Sequence, residues 1–408
     1  MKKLVSFLLV LMLAFGYAQP ASFADFKILD SIQEFGEKRF MRTRTARLQT
    51  GPVKIYPKID TKIEYDDNIL LEDEDAREDV IFDVTPGVIL ELPIDTHQLA
   101  VGYEADFENF VKRTDQNDQN QNFFALADVN FPSWYINVLE KFSETSGRAG
   151  TTFESRVPRF DQSIYPKIGY RWKRFTIEQG FRHFVRDFRR QVSDSFDFQM
   201  VQWSTVLFYD MTARLKALAE YTYGQIDYDD AVTRGGSLNQ MRLGLEGEIR
   251  PDLFVRLKVG PHLRNYKKST EVDFNSWVGS LELEYDFRSN IHFELEGYRD
   301  AVEATFQDVN FYKQHGIRFL GEYEFQPHWT AFSETEYYRN DYAERATVGR
   351  TVAQFRDDNH ILTDLGLRYA FREWMEFELA YHFKHRESNF PEFDYTDHRV
   401  SLTSSISY

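Results

Sequence analysis

The chain has 408 residues, 65 acidic against 49 basic side chains, a formal net charge of −16 and no cysteine. That balance excludes nucleic acid as the partner, since a phosphate-binding face needs clustered Lys and Arg, and the lack of cysteine excludes disulfides and thiolate metal sites. A mean hydropathy of −0.52, with no apolar run of about 18 residues beyond the first few, excludes a transmembrane helix.

At the start, Met1-Lys2-Lys3 leads into an apolar stretch from Leu4 to Ala14 and then small residues at Gly16, Ala18, Ser22 and Ala24. This is the pattern of a secretory signal peptide over residues 1–24, with cleavage after Ala18 or Ala24. Residues 25–52 read as a periplasmic lead-in. Ile28, Ile32 and Phe35 stand at helical spacing before Lys38, Arg39, Arg42, Arg44 and Arg47, which fits either a short amphipathic helix or a flexible linker.

From Val53 onward the apolar period changes to two. Ile291, Phe293 and Leu295 alternate with His292, Glu294 and Glu296, and Met375, Phe377, Leu379 and Tyr381 with Glu376, Glu378 and His382, so each segment has one greasy and one charged face. About eighteen such segments are expected between 53 and 408, among them 97–113, 122–132, 212–227, 328–339, 359–371 and 398–408. They are longer than soluble strands, as a tilted membrane crossing requires.

The links alternate in length. Tight ones fall at Ile94-Asp95-Thr96, Pro132-Ser133, Lys173, Asp210-Met211, Pro251-Asp252, Arg288-Ser289, Gln326-Pro327 and Arg372-Glu373, and between them lie long polar loops such as Asp115 to Gln121, Ala301 to Asn310, Asn340 to Asp358 and Glu387 to Asp397. Short turns on one rim and long loops on the other predict an all-β, transmembrane, antiparallel up-and-down barrel over 53–408, with both termini periplasmic. An aromatic content of 16% fits girdles at the two membrane interfaces. In the last segment Val400, Leu402, Ile406 and Tyr408 share one face, interrupted at Ser404. That ending resembles the C-terminal signal read by the barrel-assembly machinery of Gram-negative bacteria.

The opening hairpin, Ile55-Tyr56-Pro57 through Glu64-Tyr65-Asp66-Asp67-Asn68-Ile69 and then Thr85-Pro86-Gly87-Val88 to Leu90-Glu91-Leu92-Pro93, resembles the putative β-barrel porin 2 family, a likeness running from about Val53 to Tyr408. The resemblance implies an outer-membrane barrel surrounded by lipid and lipopolysaccharide and linked with exopolysaccharide or capsule secretion. Polysaccharide and periplasmic export components are the partners it implies, and it brings no catalytic residues.

Alternation predicts which charges face the lumen: Lys58, Lys62, Glu64, Glu104, Arg214, Lys216, Arg242, Arg256, Lys258, Glu282, Glu284, Glu294, Glu296, Arg318, Glu322, Glu376 and Glu378. Carboxylates predominate along the inner face as a whole, which favours cations if the pore is open. The basic residues gather over 212–267 and the acids over 274–386, so the two walls carry either a transverse field or ion pairs between neighbouring strands. Asp66, Asp67 and Asn68, followed by Glu72 to Asp75, are a candidate divalent-cation site or merely solvated loop carboxylates. No other cofactor is expected.

His382 and His385 near Asp394 and Asp397 are the one enzyme-like grouping, and no G-x-S-x-G, H-E-x-x-H or P-loop spacing occurs, so the chain is not read as an enzyme. The expected function is a porin-like channel for polar solutes. The alternative is a plugged or adhesive barrel whose aromatic loop, Phe390 to Tyr395, closes the lumen or stacks on a glycan. An outer-membrane hydrolase comes behind both.

Overall fold

The computed structural model describes residues 48–146, 157–189, 197–229, 235–267, 272–304, 309–346 and 354–408. The expected signal peptide over 1–24 and the expected lead-in up to residue 47 lie outside the described residues. The strands are β1 (Leu48–Thr50), β2 (Val53–Asp66), β3 (Asp79–Ile94), β4 (His97–Phe110), β5 (Asp118–Asn130), β6 (Trp134–Thr145), β7 (Arg159–Trp172), β8 (Phe175–Phe188), β9 (Phe198–Asp210) and β10 (Leu215–Tyr228). They continue as β11 (Gly236–Arg250), β12 (Leu253–Tyr266), β13 (Phe274–Arg288), β14 (Ile291–Glu303), β15 (Phe311–Gln326), β16 (Trp329–Ala346), β17 (Gln354–Arg372), β18 (Met375–Ser388) and β19 (Tyr395–Ser407).

Each of β2 to β19 pairs antiparallel with its successor, and β19 returns to β2 through registers from Arg399↔Asp66 to Ser407↔Lys58. The result is a closed antiparallel barrel of eighteen strands. Closure leaves no strand edge, and in hydrocarbon each unpaired backbone amide costs several kcal/mol. β19 ends before β2 does: the Tyr408 amide donates to the Pro57 carbonyl at 3.0 Å. Beyond that point β1 takes up the same edge of β2, pairing Leu48 with Ile55 and Thr50 with Val53. The last residues of the lead-in are therefore a strand that completes the seam.

Outward positions are apolar and exposed, as Ile59, Ile63, Leu243 and Leu402 show, and inward positions are polar, as in Lys58, Asp60 and Lys62 of β2. The eight tight turns stand where sequence placed them. Asp95, Lys173 and His328 adopt the left-handed backbone that such short links demand. Bulges at Glu248/Arg250, Asp286/Arg288, Glu324/Gln326 and Ala370/Arg372 lie beside four of them and bend the wall toward closure.

Several boundaries differ from expectation. β4 ends at Phe110, and β5 begins at Asp118 within the predicted loop, while β14 runs on to Glu303. β16 and β17 extend through much of the stretch Asn340 to Asp358, and pair there at Asn340↔Asp358 and Arg345↔Phe355. Past the apolar band a strand no longer needs an apolar outer face, so its sequence looks like a loop although its ladder continues. No helix among the described residues is long and apolar enough to cross a membrane.

Candidate functional site

Side chains from β12 to β19 and from β2 to β5 enclose a cavity of about 1460 Å³. Its lining includes twelve carboxylates and six Lys or Arg side chains, a net charge of −6 with His328 and His382 neutral. Lys58, Lys62, Glu104, Arg256, Glu282, Glu294, Glu296, Arg318, Glu376 and Glu378 line it as alternation predicts. Sequence reading missed the floor at the turn rim, where Arg372, Glu373, Trp374 and Met375 enter the lining, and the small polar face of β19 at Ser401, Thr403, Ser405 and Ser407. That second set alternates strictly and was legible.

Register converts these charges into a lattice between strands. Lys58 pairs with Glu104 and Asp60, and Lys62 bonds Asp83 at 2.9 Å and Glu64 at 3.4 Å. Glu64, buried, is also 3.6 Å from Arg399. Arg318 reaches Glu296 at 2.6 Å, Glu334 at 3.1 Å and Glu294 at 3.4 Å. Arg368 holds Glu322 at 3.1 Å, Glu378 at 3.2 Å and Glu376 at 3.4 Å.

On the more basic wall, Arg242 and Lys258 both engage Glu220, and Arg256 bridges Glu246 and Glu282. Both walls are thus laced by pairs with acids on neighbouring strands. One guanidinium serving three glutamates leaves carboxylates in surplus, so the field inside remains negative.

Seven predicted lumen residues lie outside the cavity lining: Glu64, Arg242, Lys258 and Glu322 belong to the ion-pair lattice between strands, and three others stand near the turns. Arg214 lies in the link before β10, exposed and 2.9 Å from Glu248, because β10 starts only at Leu215. Lys216 is exposed beside the same turn with its ammonium 5.6 Å over the Phe208 ring. Glu284 sits opposite Glu294 near the turn end of β13. Of the residues expected to form an assembly signal, Val400, Leu402 and Tyr408 are outward and exposed, and Ile406 continues their face.

At the loop end of β2, oxygen atoms of Asp66, Asp67 and Asp397 lie within 4.8 Å of one another. Asn68 belongs to a different device. Its side-chain amide donates to the carbonyls of Glu72 at 2.8 Å and Thr396 at 2.9 Å and its oxygen accepts the Glu72 amide at 3.0 Å, which folds the loop back on β19. Asp66 caps the Asn68 amide at 2.8 Å and Asp67 the His398 amide at 2.7 Å. These residues have structural duties where sequence suggested ligands.

The enzyme-like grouping is not brought together as expected. His385 bonds Thr396, Asp394 accepts the Ser388 amide, and Asp397 faces Arg399. His382 instead bridges Asp364 at 2.6 Å and Ser401 at 3.0 Å. Ser401 is 3% exposed and lines the cavity, and the Asp364 side chain is 44% exposed.

Toward the long loops the inward side chains change from part-exposed charges to buried packing. Phe184, Phe198, Met200, Ile226, Tyr228 and Leu238 form one cluster on β8 to β11, and Tyr266, Phe274, Val278, Ala301 and Phe311 another on β12 to β15. Tyr228 of β10 hydrogen-bonds Glu303 of β14, four strands away, at 3.1 Å, and Arg264 bonds the same glutamate at 2.8 Å. Phe390 and Phe393 of the last loop join Ala304, Val309 and Tyr342 in a third cluster.

An eighteen-stranded closed wall with an apolar exterior and a charged interior defines a porin-type barrel of the outer membrane. The chain belongs to the family described as Putative beta-barrel porin 2, whose profile matches residues 193–408. It is similar in structure to OpdK of Pseudomonas aeruginosa crystallised with vanillate (10% identity, 87% of this chain and 99% of that one, TM-score 0.47). It is also similar to OccAB3 of Acinetobacter baumannii (11%, 87% and 99%, 0.48) and to the siderophore receptor PirA of Pseudomonas aeruginosa (11%, 86% and 80%, 0.45). No curated protein matches the chain.

Proposed function

We propose that this barrel is a cation-favouring conduit for polar solutes that serves exopolysaccharide or capsule export. The observation that carries the reading is the cavity itself, with twelve carboxylates against six basic groups inside a closed wall. A negative lumen concentrates cations and repels anions over a distance of about 8 Å at physiological salt. Tyr56, Tyr298 and Trp374 in the same lining offer rings on which sugar faces stack, next to charged groups that bond hydroxyls.

In this reading residues 1–24 direct export, with cleavage after Ala18 or Ala24, and the tight-turn rim faces the periplasm with both termini. The cavity then receives its cargo from periplasmic export components. Lipid and lipopolysaccharide surround the barrel, and the assembly machinery reads the outward face ending at Tyr408. The chain does no catalysis.

The test is a planar-bilayer recording of the purified barrel under a potassium chloride gradient, with oligosaccharides added on the turn side. Steps with a cation-selective reversal potential and block by oligosaccharide support the reading, and an anion-selective reversal potential overturns it. A plugged barrel is the second reading, favoured by the buried packing at the loop end.

A further inference from the structure

We infer that the loop Asn389–Asp394 is the gate of this conduit, held shut by Arg356 and Arg386. The inference rests on the conduit reading and names the element that controls it.

The loop between β18 and β19 turns its aromatic side chains into the barrel. Phe390 is 0% exposed and Phe393 7%, and both pack against Ala304 and Val309 at the β14–β15 link and Tyr342 on β16. A short 3-10 turn, Pro391–Phe393, shapes the loop. Its ends are tied by the Ser388 amide to Asp394 Oδ1 at 2.6 Å and by Asn389 Nδ2 to the Phe355 carbonyl at 2.7 Å.

Two arginines grip it from the wall. Arg356 of β17 is wholly buried and bonds Asp358 through Nε at 2.9 Å and Nη2 at 2.8 Å, and its guanidinium lies 3.6 Å over the centre of the Phe393 ring and 4.9 Å over Tyr342. Arg386 of β18 donates from Nε to the Phe393 carbonyl and lies 4.6 Å from the Tyr395 ring centre. A guanidinium over an aromatic face binds strongly when both are desolvated.

On β18 the cavity lining reaches His382, two inward positions short of Arg386, and on β14 it reaches Tyr298, short of Ala304 just past the strand's end. An apolar constriction stops water and ions by dewetting. With no cysteine in the chain, nothing covalent pins the loop, so non-covalent contacts hold it and it swings out when they break. Its tip residues Pro391 and Glu392 are exposed, which leaves the loop a free side to move toward.

The test compares wild type, Phe390→Ala/Phe393→Ala and Val309→Cys/Phe390→Cys in planar bilayers, each shown to be folded by heat-modifiable mobility. Relief of the constriction raises steady conductance about tenfold or more over wild type. The cysteine pair, the only thiols present, gives a barrel silent when oxidised and conducting when reduced. A wild type that already conducts as well as the double alanine variant overturns the gate and leaves the conduit standing. A cross-linked barrel that conducts like its reduced form also overturns the gate alone. Folded variants that stay silent, even with residues 389–394 deleted, overturn both.

Discussion

Replacing Arg318 with methionine removes a guanidinium that Glu294, Glu296 and Glu334 share at 3.4, 2.6 and 3.1 Å. A pair of unit charges at ~4 Å is worth about 1 kcal/mol in water and about 4 kcal/mol at an effective dielectric constant near 20. The Arg318 side chain is 21% exposed beside an aqueous cavity, so the low figure applies to each pair and desolvation of the arginine offsets part of the total. The three carboxylates also repel once their shared cation is gone. Together these give an expected loss of roughly 2–4 kcal/mol.

Urea unfolding in lipid vesicles, followed by tryptophan fluorescence, reads that loss as a lower midpoint. Arg318→Met/Glu296→Gln recovers about 1 kcal/mol by taking one charge out of the repelling group. Unfolding of Arg318→Met within about 0.5 kcal/mol of wild type, or a further loss in the double variant, refutes the argument that the lattice stabilises the wall.

Other expectations follow from the same geometry. Leu243→Arg on the outer face should cost roughly 2–4 kcal/mol in bilayers, whereas Ser280→Arg, facing the cavity, should be tolerated; equal costs would mean the faces are misassigned. A Cβ at Gly169 collides with the Tyr135 ring lying across it, so Gly169→Ala should lose about 1–3 kcal/mol, read by the same unfolding. Deleting residues 405–408 strips β2 of its partners from Lys58 to Asp60 and should lower the yield of heat-modifiable barrel. Outside the wall, hydrogen bonds from Arg113 and then Gln116 hold the Asp115 carboxyl well below the usual carboxylate range. A depressed acid stabilises above its unfolded pKa and ceases to as pH falls through the folded one. Amide exchange at Asn117 should therefore stay slow through about pH 4, and acceleration there in Arg113→Ala alone checks the cause.

The fold was legible because membrane and turns both write short-range patterns. Alternation along β13, β14 and β18 follows from having lipid on one side and water on the other, and Pro251-Asp252 or Gln326-Pro327 mark turns by their own chemistry. The extensions of β16 and β17 were hidden because Asn340, Asp341 and Asp357 lie beyond the lipid, where pairing leaves no apolar signature. In the lumen, alternation gave the direction of Arg318 but not its partners, which depend on the stagger of three strands. Arg356 read as a loop charge and Arg386 as the last residue of a strand. Only the inward fold of Phe390 and Phe393 shows them to be buried, and the aromatic loop had already been marked as a plug or a glycan platform.

A barrel with a net negative interior should conduct, and conduct cations in preference to anions. The most direct measurement is the reversal potential of the gate-relieved Phe390→Ala/Phe393→Ala barrel under a potassium chloride gradient. A potential on the potassium side is predicted from the surplus of lining carboxylates. A potential on the chloride side, or no conductance from a folded barrel, contradicts it.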